Sequence, residues 1–340
     1  MIPITSRIIL FFAVQLVCVL STGTNAQTGT IMTVTGPVTP AEMGLSLIHE
    51  HVLVDFIGAD QTGEHRWDKE EVLSIVTPYV MELKEFGVQT MVECTPAYLG
   101  RDPLLLKALS ETTGVQIITN TGFYGASDNK HLPREAYTET VDQLAARWIK
   151  EAQEGIAGTG IKPGFIKTSV NSGSLSELHR KLIRAAARTH LKTGLIIASH
   201  TGPAVPAFEQ LAILESEGVH PSAFIWVHAP GEADPAMHVK AAQQGAWVSL
   251  DNLAVSNLEE YADMLQNLKS QGLLHRVLLS HDAGWYSPGE EKGGDFRAYT
   301  ALFKEFLPLL TAKGWTETEI QQLLIINPRT AFEIQIKALR

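Results

Sequence analysis

Two histidines separated by a single residue lie in an apolar stretch near the start of the chain. His49 and His51 belong to the sequence LSLIHEHVLV, which has the composition of a buried strand. Because side chains alternate between the two faces of a strand, both imidazoles point the same way and can contact one metal ion. Two histidines on a strand are also often ordinary hydrogen-bonded residues, so this pair alone does not decide between the two interpretations.

Four more candidate ligands occur late in other short apolar runs: Lys167, His200, His228 and Asp282. Imidazoles and a carboxylate are the ligands that zinc and similar ions prefer. A lysine on an apolar strand tends to lose its charge and become a nucleophile, and it can then react with carbon dioxide to form a carbamate that bridges two metals. Singly, these residues have ordinary explanations, namely a core histidine, a salt-bridged or Schiff-base lysine and a helix cap. Their joint occurrence favours a metal site.

The elements that carry these residues alternate regularly along the chain. Short β-branched runs predict strands at 47–55, 90–95, 116–121, 164–170, 194–200, 223–228, 246–250 and 276–282. Helical periodicity predicts helices at 69–86, 103–112, 134–155, 176–193, 207–217, 235–244, 258–271 and 299–313. Eight strand–helix pairs without a long linker predict an α/β protein with one (β/α)₈ barrel, the TIM barrel. A doubly wound open sheet is the competing fold, but no strand is followed by a Gly-x-Gly-x-x-Gly turn.

Several local features refine this prediction. Asp68 is expected to cap the first helix, and Pro78 is expected to kink or split it. Residues 30–43 are expected to form an extended segment or hairpin that closes the bottom of the barrel. Asn327 followed by Pro328 is expected to begin the last helix. In a barrel of this kind the active site lies at the carboxyl ends of the strands, where the candidate ligands are.

With these motifs the chain resembles the phosphotriesterase family of the amidohydrolase superfamily. The resemblance extends over nearly the whole chain after its leader and rests on Thr33-Val34-Thr35-Gly36-Pro37-Val38, His49-Glu50-His51-Val52, Gly164-Phe165-Ile166-Lys167, His200-Thr201, Val227-His228, Ser280-His281-Asp282 and Ile326-Asn327-Pro328. These motifs are specific for the family and carry little information about the substrate.

The resemblance implies a centre with two divalent metal ions, expected to be zinc. It implies that His49, His51 and Asp282 bind the more buried ion, that His200 and His228 bind the more exposed one, and that N6-carboxylated Lys167 joins them. It further implies a metal-bridging hydroxide that attacks an ester-type bond in a carboxylic ester, lactone or phosphotriester. Asp282 is the expected catalytic residue, which takes up the released proton.

Substrate selection is expected from the strand-to-helix loops. The candidate substrate-binding residues are Tyr124, Asn252 and Trp285, each of which has packing within a loop as its alternative role. Tyr124 resembles the tyrosine that lactonase-type relatives place beside the metals. Those relatives commonly carry an arginine where this chain has Asn252, so neither lactone nor organophosphate specificity follows.

The amino-terminal residues and the overall charge bound the cellular role. Residues 1–26 contain one charged residue, Arg7, and an apolar stretch shorter than a membrane span, which predicts a cleaved secretory signal ahead of a barrel at 27–340. A retained anchor or a lipid attached to Cys18 is the weaker alternative. The location predicted is secreted or periplasmic, without membrane attachment after cleavage. A formal net charge of −10 argues against a nucleic acid, itself a polyanion, as the partner and favours a small-molecule substrate. Homodimerisation is expected only by the resemblance.

Two functions from other classes compete with the metallohydrolase. A metal-independent Schiff-base lyase could use Lys167, but this activity leaves four inward-facing histidines without a common purpose. A non-catalytic metal-binding barrel could keep the ligands without turnover. Metal content distinguishes the lyase from the hydrolase, and turnover distinguishes the non-catalytic barrel.

Overall fold

The computed structural model describes residues 29–340, so the predicted secretory signal at 1–26 lies outside the described residues. The strands are β1 Ile31–Thr33, β2 Gly36–Val38, β3 Ser46–Leu53, β4 Thr90–Glu93, β5 Gln116–Ile118, β6 Asn120–Thr121, β7 Phe165–Ser169, β8 Ile196–His200, β9 Phe224–Val227, β10 Trp247–Asp251, β11 Val277–Ser280 and β12 Gly284–Tyr286. The helices are α1 Pro40–Met43, α2 Lys69–Glu85, α3 Pro103–Thr113, α4 Arg134–Thr138, α5 Val141–Glu154, α6 Glu177–Thr193, α7 Ala204–Ser216, α8 Pro235–Gln244, α9 Leu258–Ser270, α10 Leu307–Ala312, α11 Glu317–Gln321 and α12 Asn327–Phe332. None of the helices in this part of the chain is both long and apolar enough to cross a lipid bilayer.

The strands from β3 onward form a ring of parallel neighbours. One sheet has the order β12-β3-β4-β5, and the other has the order β11-β10-β9-β8-β7-β6. Only Thr119 separates β5 from β6, and three residues separate β11 from β12, so each of these pairs is one barrel strand with an interruption. The first half of each split strand pairs with one neighbour and the second half with the other, which joins the two sheets into an eight-stranded barrel. The predicted (β/α)₈ fold is confirmed.

The amino-terminal end of the barrel is plugged, as expected for residues 30–43. Strands β1 and β2 form an antiparallel hairpin, and Val34 N–H donates to Ile117 O at 2.8 Å, which attaches the hairpin to β5. Ile31 and Met43 pack in the barrel interior with Phe332 of α12. Because this end is filled with apolar side chains, access to the barrel interior is from the carboxyl ends of the strands.

Helix α2 has the predicted cap and is not split at Pro78. Asp68 caps it, since its side chain accepts a hydrogen bond from Glu71 N at 2.9 Å. Pro78 does not split the helix, which runs unbroken from Lys69 to Glu85. Pro78 lies on the exposed face, so water can satisfy the carbonyl of Ser74 that loses its helical donor.

Helix α12 begins at Asn327, as predicted, but Asn327 does not cap it. It has helical backbone angles and follows α11 and a π-helical segment, Gln322–Ile326, without a break. Its side chain instead donates to Leu274 O and Val277 O, at 2.8 and 2.6 Å, which ties the helix to the start of β11. The wider π turn accommodates Pro328, which cannot donate a helical hydrogen bond. The predicted helix at 134–155 is likewise two helices, α4 and α5.

Candidate metal centre

The barrel brings all six predicted ligands to the carboxyl ends of its strands. His49 and His51 lie on β3, Lys167 on β7 and His200 at the end of β8, while His228 directly follows β9 and Asp282 follows β11. The ring centroids of His49 and His228 are 5.1 Å apart, and those of His200 and His228 are 4.4 Å apart. Lys167, which is 1% exposed, places its Nζ 3.4 Å from His49 Nε2. Side chains distant in the sequence therefore form one cluster.

Asp282 lies where several of these side chains meet. Its Oδ1 is 3.0 Å from His51 Nε2 and 3.6 Å from His49 Nε2, and its Oδ2 is 4.0 Å from His228 Nε2. The Oδ1 atom is buried, yet no described residue donates a well-formed hydrogen bond to it. His49, His51 and Asp282 present ligand atoms within 4.8 Å of one another.

The hydrogen-bond partner of His51 explains why Asp282 Oδ1 is without a donor. His51 Nδ1 is 2.7 Å from the Thr95 hydroxyl oxygen, and the Thr95 backbone N–H donates to the Glu93 carboxylate at 3.2 Å. With the Thr95 hydroxyl as acceptor of the Nδ1 proton, His51 Nε2 has a lone pair. A lone pair and a carboxylate oxygen 3.0 Å apart both require a cation or a proton between them. The donor set fits a divalent metal ion.

At His49, His200 and Asp282 the electrostatics favour the protonation states that metal ligands require. Burial lowers the pKa of His49 to about 4 and that of His200 well below its ordinary value, whereas at His228 the charge of Asp251 outweighs burial and raises the pKa. Burial would raise the pKa of Asp282, but the contact with His51 and the charge of His49 outweigh it and hold that pKa below its usual range. Neutral imidazoles and an ionised carboxylate bind metal without first losing a proton.

Lys167 lacks an acidic partner. No carboxylate in the described part of the chain forms an ion pair with it, although its side chain is almost fully buried. A buried and unpaired ammonium group is costly, whereas a neutral amine or a carbamate bound to metal is not. The surroundings of Lys167 are therefore compatible with carboxylation.

Strained backbone and close contacts position two of the ligands. His228 and Asp282 have φ values of 59° and 55°, in the left-handed region that residues other than glycine rarely adopt. Gly284, just beyond Asp282, approaches β3 so closely that a Cβ there would lie 1.8 Å from His51 O. A glycine is required at this point because the chain turns directly against the strand that carries two ligands.

Three residues that hold the ligands in place were not predicted: Glu50, Thr95 and Asp251. Each is buried and contacts a ligand or its flanking backbone. Asp251 is the last residue of β10 and faces inward, and several candidate ligands likewise lie at the ends of their strands. This shared position was a signal that sequence reasoning missed. Glu50 gives no such signal, because it alternates with the two histidines and faces away from the cluster.

The three predicted substrate residues are placed differently. Tyr124 OH is 3.2 Å from His200 Nδ1, and the Trp285 ring centroid is 5.5 Å from that of His51, so both side chains border the cluster. Phe56, which is 43% exposed, lies 5.5 Å from Trp285 and adds to an aromatic entrance. Asn252 is exposed, and its Oδ1 accepts a hydrogen bond from Arg297 at 3.2 Å rather than contacting a ligand.

Comparison with known proteins relates this geometry to one family. The model of the phosphotriesterase family matches residues 29–332. The chain is 29% identical over 294 residues to the phosphotriesterase homology protein of Escherichia coli, covering 85% of this chain and 98% of that protein. It is 28% identical over 303 residues to the aryldialkylphosphatase of Saccharolobus solfataricus, covering 86% and 95%. A crystal structure of a PTE-like lactonase mutant from Deinococcus radiodurans superposes with a TM-score of 0.80 at 30% identity, covering 89% of this chain and all of that one. The chain belongs to the phosphotriesterase family.

Proposed function

We propose that this chain is a binuclear metal-dependent hydrolase that cleaves an ester-type bond in a carboxylic ester, lactone or phosphotriester. The observation that carries the proposal is the meeting of Asp282 Oδ1 and His51 Nε2, 3.0 Å apart and without a well-formed hydrogen bond, inside a ring of further candidate ligands. The names of the relatives, an aryldialkylphosphatase and a PTE-like lactonase, support the same class of reaction.

The proposal assigns each ligand a position. His49, His51 and Asp282 hold the more buried ion, and His200 and His228 hold the more exposed one. Lys167, carboxylated at its Nζ, contributes to both ions. In the uncarboxylated side chain the Nζ is 3.4 Å from His49 Nε2. The order of burial supports this division, because the His49 and His51 side chains are 2% and 10% exposed whereas the His228 side chain is 19% exposed.

The catalytic role of the protein side chains follows from their charge and placement. When bound, the two ions, expected to be zinc, would lower the pKa of a bridging water and polarise the carbonyl or phosphoryl oxygen of the substrate. Asp282 remains ionised and accepts the proton of the attacking water at a carboxylate oxygen. Tyr124, beside His200, and Trp285, beside His51, are placed to contact the substrate. A small-molecule substrate and a secreted or periplasmic location belong to the same proposal.

The deciding experiment measures metal content and turnover together. The chain without residues 1–26 is purified with zinc and bicarbonate, and its metal is quantified beside Lys167→Ala and Asp282→Ala. About two ions per chain, with a clear loss in both variants, is the expected result. Turnover of a panel of aryl esters, lactones and phosphotriesters should fall with the metal. A metal-free protein with undiminished aldol-type activity would instead establish the Schiff-base lyase, and two ions without any turnover would establish a non-catalytic barrel.

A further inference from the structure

The carboxylate of Asp251 contacts two of the proposed ligands at once. It is fully buried at the end of β10. Its Oδ1 lies 2.7 Å from His228 Nδ1, and its Oδ2 lies 3.2 Å from His49 Nδ1. By the proposed assignment these two histidines bind different ions, so one carboxylate contacts a ligand of each ion.

Two further donors fix the orientation of this carboxylate. The backbone N–H of His228 donates to Oδ1 at 2.9 Å, and the hydroxyl of Ser249 donates to Oδ2. The Asp251 side chain therefore cannot turn without breaking a backbone hydrogen bond in a buried place. Both of its oxygens are held as acceptors that face the two imidazoles.

The direction of these contacts determines which ring nitrogen of each histidine carries the proton. An ionised carboxylate only accepts hydrogen bonds, so Nδ1 of His228 donates to Oδ1 at 2.7 Å, and Nδ1 of His49, 3.2 Å from Oδ2, is placed to donate to that oxygen. In a neutral imidazole the other nitrogen, Nε2, then has a free lone pair. The Nε2 atoms of both rings face Asp282, at 3.6 and 4.0 Å. This is the tautomer in which Nε2 can bind a metal ion.

We propose that Asp251 is a positioning residue shared by the two metal positions, which holds His49 and His228 in the Nδ1-protonated tautomer before any metal binds. The inference rests on the proposed function for its division of the ligands. The tautomers themselves follow from the hydrogen bonds of the protein and do not depend on metal.

Replacement of Asp251 by asparagine should affect the two histidines differently. The amide oxygen must take the place of Oδ1, because the backbone N–H of His228 points there. The NH₂ group then takes the place of Oδ2 and points at His49 Nδ1, to which it can only donate. His49 is thereby expected to move its proton to Nε2 and lose its metal-binding lone pair, while His228 keeps its own.

The experiment reads the tautomers and the metal separately. Long-range ¹⁵N–¹H NMR of the metal-free protein is expected to show the Nδ1-protonated tautomer for both histidines in the unsubstituted protein, with His49 alone reversed in Asp251→Asn. On titration with zinc, Asp251→Asn is expected to lose at least about tenfold in affinity at one of the two sites. Ser249→Ala, which removes a donor to the same carboxylate without reversing any acceptor, is the matched control and should keep both tautomers.

The outcomes distinguish failure of this inference from failure of the proposed function. An Nε2-protonated His49 or His228 in the unsubstituted metal-free protein would overturn the inference, and this measurement does not require the variant to fold. An unchanged His49 tautomer in a folded Asp251→Asn would overturn it as well. If the tautomers are as stated but no ion binds the unsubstituted protein, the positioning by Asp251 is supported and the binuclear hydrolase is not.

Discussion

The carboxylate of Glu50 accepts a hydrogen bond from the Nδ1 of His281 at 2.8 Å, on the side of the barrel wall opposite the ligand cluster. Glu50 lies between His49 and His51, and His281 precedes Asp282, so both residues point outward where their neighbours point inward. Glu50 also accepts from Ser280 Oγ, His281 N and Ala283 N, at 2.7 to 3.0 Å. One buried carboxylate thus anchors the turn that presents Asp282 to β3.

Glu50→Ala should destabilise the fold strongly. The substitution leaves several buried donors of residues 280–283 without an acceptor, each costing about 1–3 kcal/mol, so we expect the free energy of unfolding to fall by about 3 kcal/mol or more. Glu50→Gln keeps one acceptor oxygen, so its free energy of unfolding should lie between that of the unsubstituted protein and that of Glu50→Ala. Urea denaturation followed by circular dichroism measures the change, with exposed Glu85→Ala as the control. A loss in Glu50→Ala no larger than in the control would contradict this role.

Tyr124→Phe should lower activity without a comparable loss of stability. The ring is 9% exposed, and phenylalanine retains its packing, so the free energy of unfolding should change by less than about 1 kcal/mol. The lost hydroxyl, 3.2 Å from His200 Nδ1, borders the proposed substrate position. We expect kcat/KM for the best ester or lactone to fall about tenfold, the effect of one hydrogen bond in a desolvated site. Unchanged kcat/KM would remove Tyr124 from the proposed substrate contacts.

Arg297 should control the order of the loop after β10. Its guanidinium donates to Asn252 Oδ1 at 3.2 Å, to Leu253 O at 2.7 Å and to Asp282 O at 3.4 Å, which ties that loop to the turn of the proposed catalytic residue. Arg297→Ala should speed amide hydrogen exchange at residues 252–257 and raise KM. Arg297→Lys should rescue little, because an ammonium group lacks the forked donors.

The control for Arg297 comes from the same segment of the chain. Lys292 is exposed, so Lys292→Ala removes a cation without removing a tether. Exchange at residues 252–257 that is equally slow in all three variants would show that Arg297 does not order the loop.

Lys337 should make stability depend on pH above neutrality. Burial, together with the positive charge of Arg276, lowers the pKa of Lys337 from 10.5 to about 8 in the folded protein. Between these two values the unfolded chain binds more protons than the folded one, so the free energy of unfolding should rise as pH rises through this window. Lys337→Met should be more stable at neutral pH and should lose this rise. Urea denaturation at several pH values in this window tests the prediction, with the exposed Lys192→Met as control. Free energies of unfolding that change with pH equally in Lys337→Met and the unsubstituted protein would refute it.

Local patterns in the sequence predicted the architecture and the candidate ligands. A period of two in LSLIHEHVLV puts both histidines on one face of β3, and eight alternations of strand and helix leave few folds other than the barrel. The barrel then explains why residues as far apart as His49 and Asp282 meet, because parallel strands present their carboxyl ends at one rim. These conclusions need only the order of the elements and the face of each residue.

Contacts between particular side chains were decided by the tertiary structure. The sharing of Asp251 by two histidines depends on the exact approach of β3, β9 and β10, and the pairing of Arg297 with Asn252 depends on how the last loop folds back. The failure of Asn327 as a helix cap has the same origin, because its side chain donates to two carbonyl groups beside β11. Residue type and periodicity report local conformation and burial, whereas these partners lie tens to hundreds of residues apart and are brought into register only when the barrel closes.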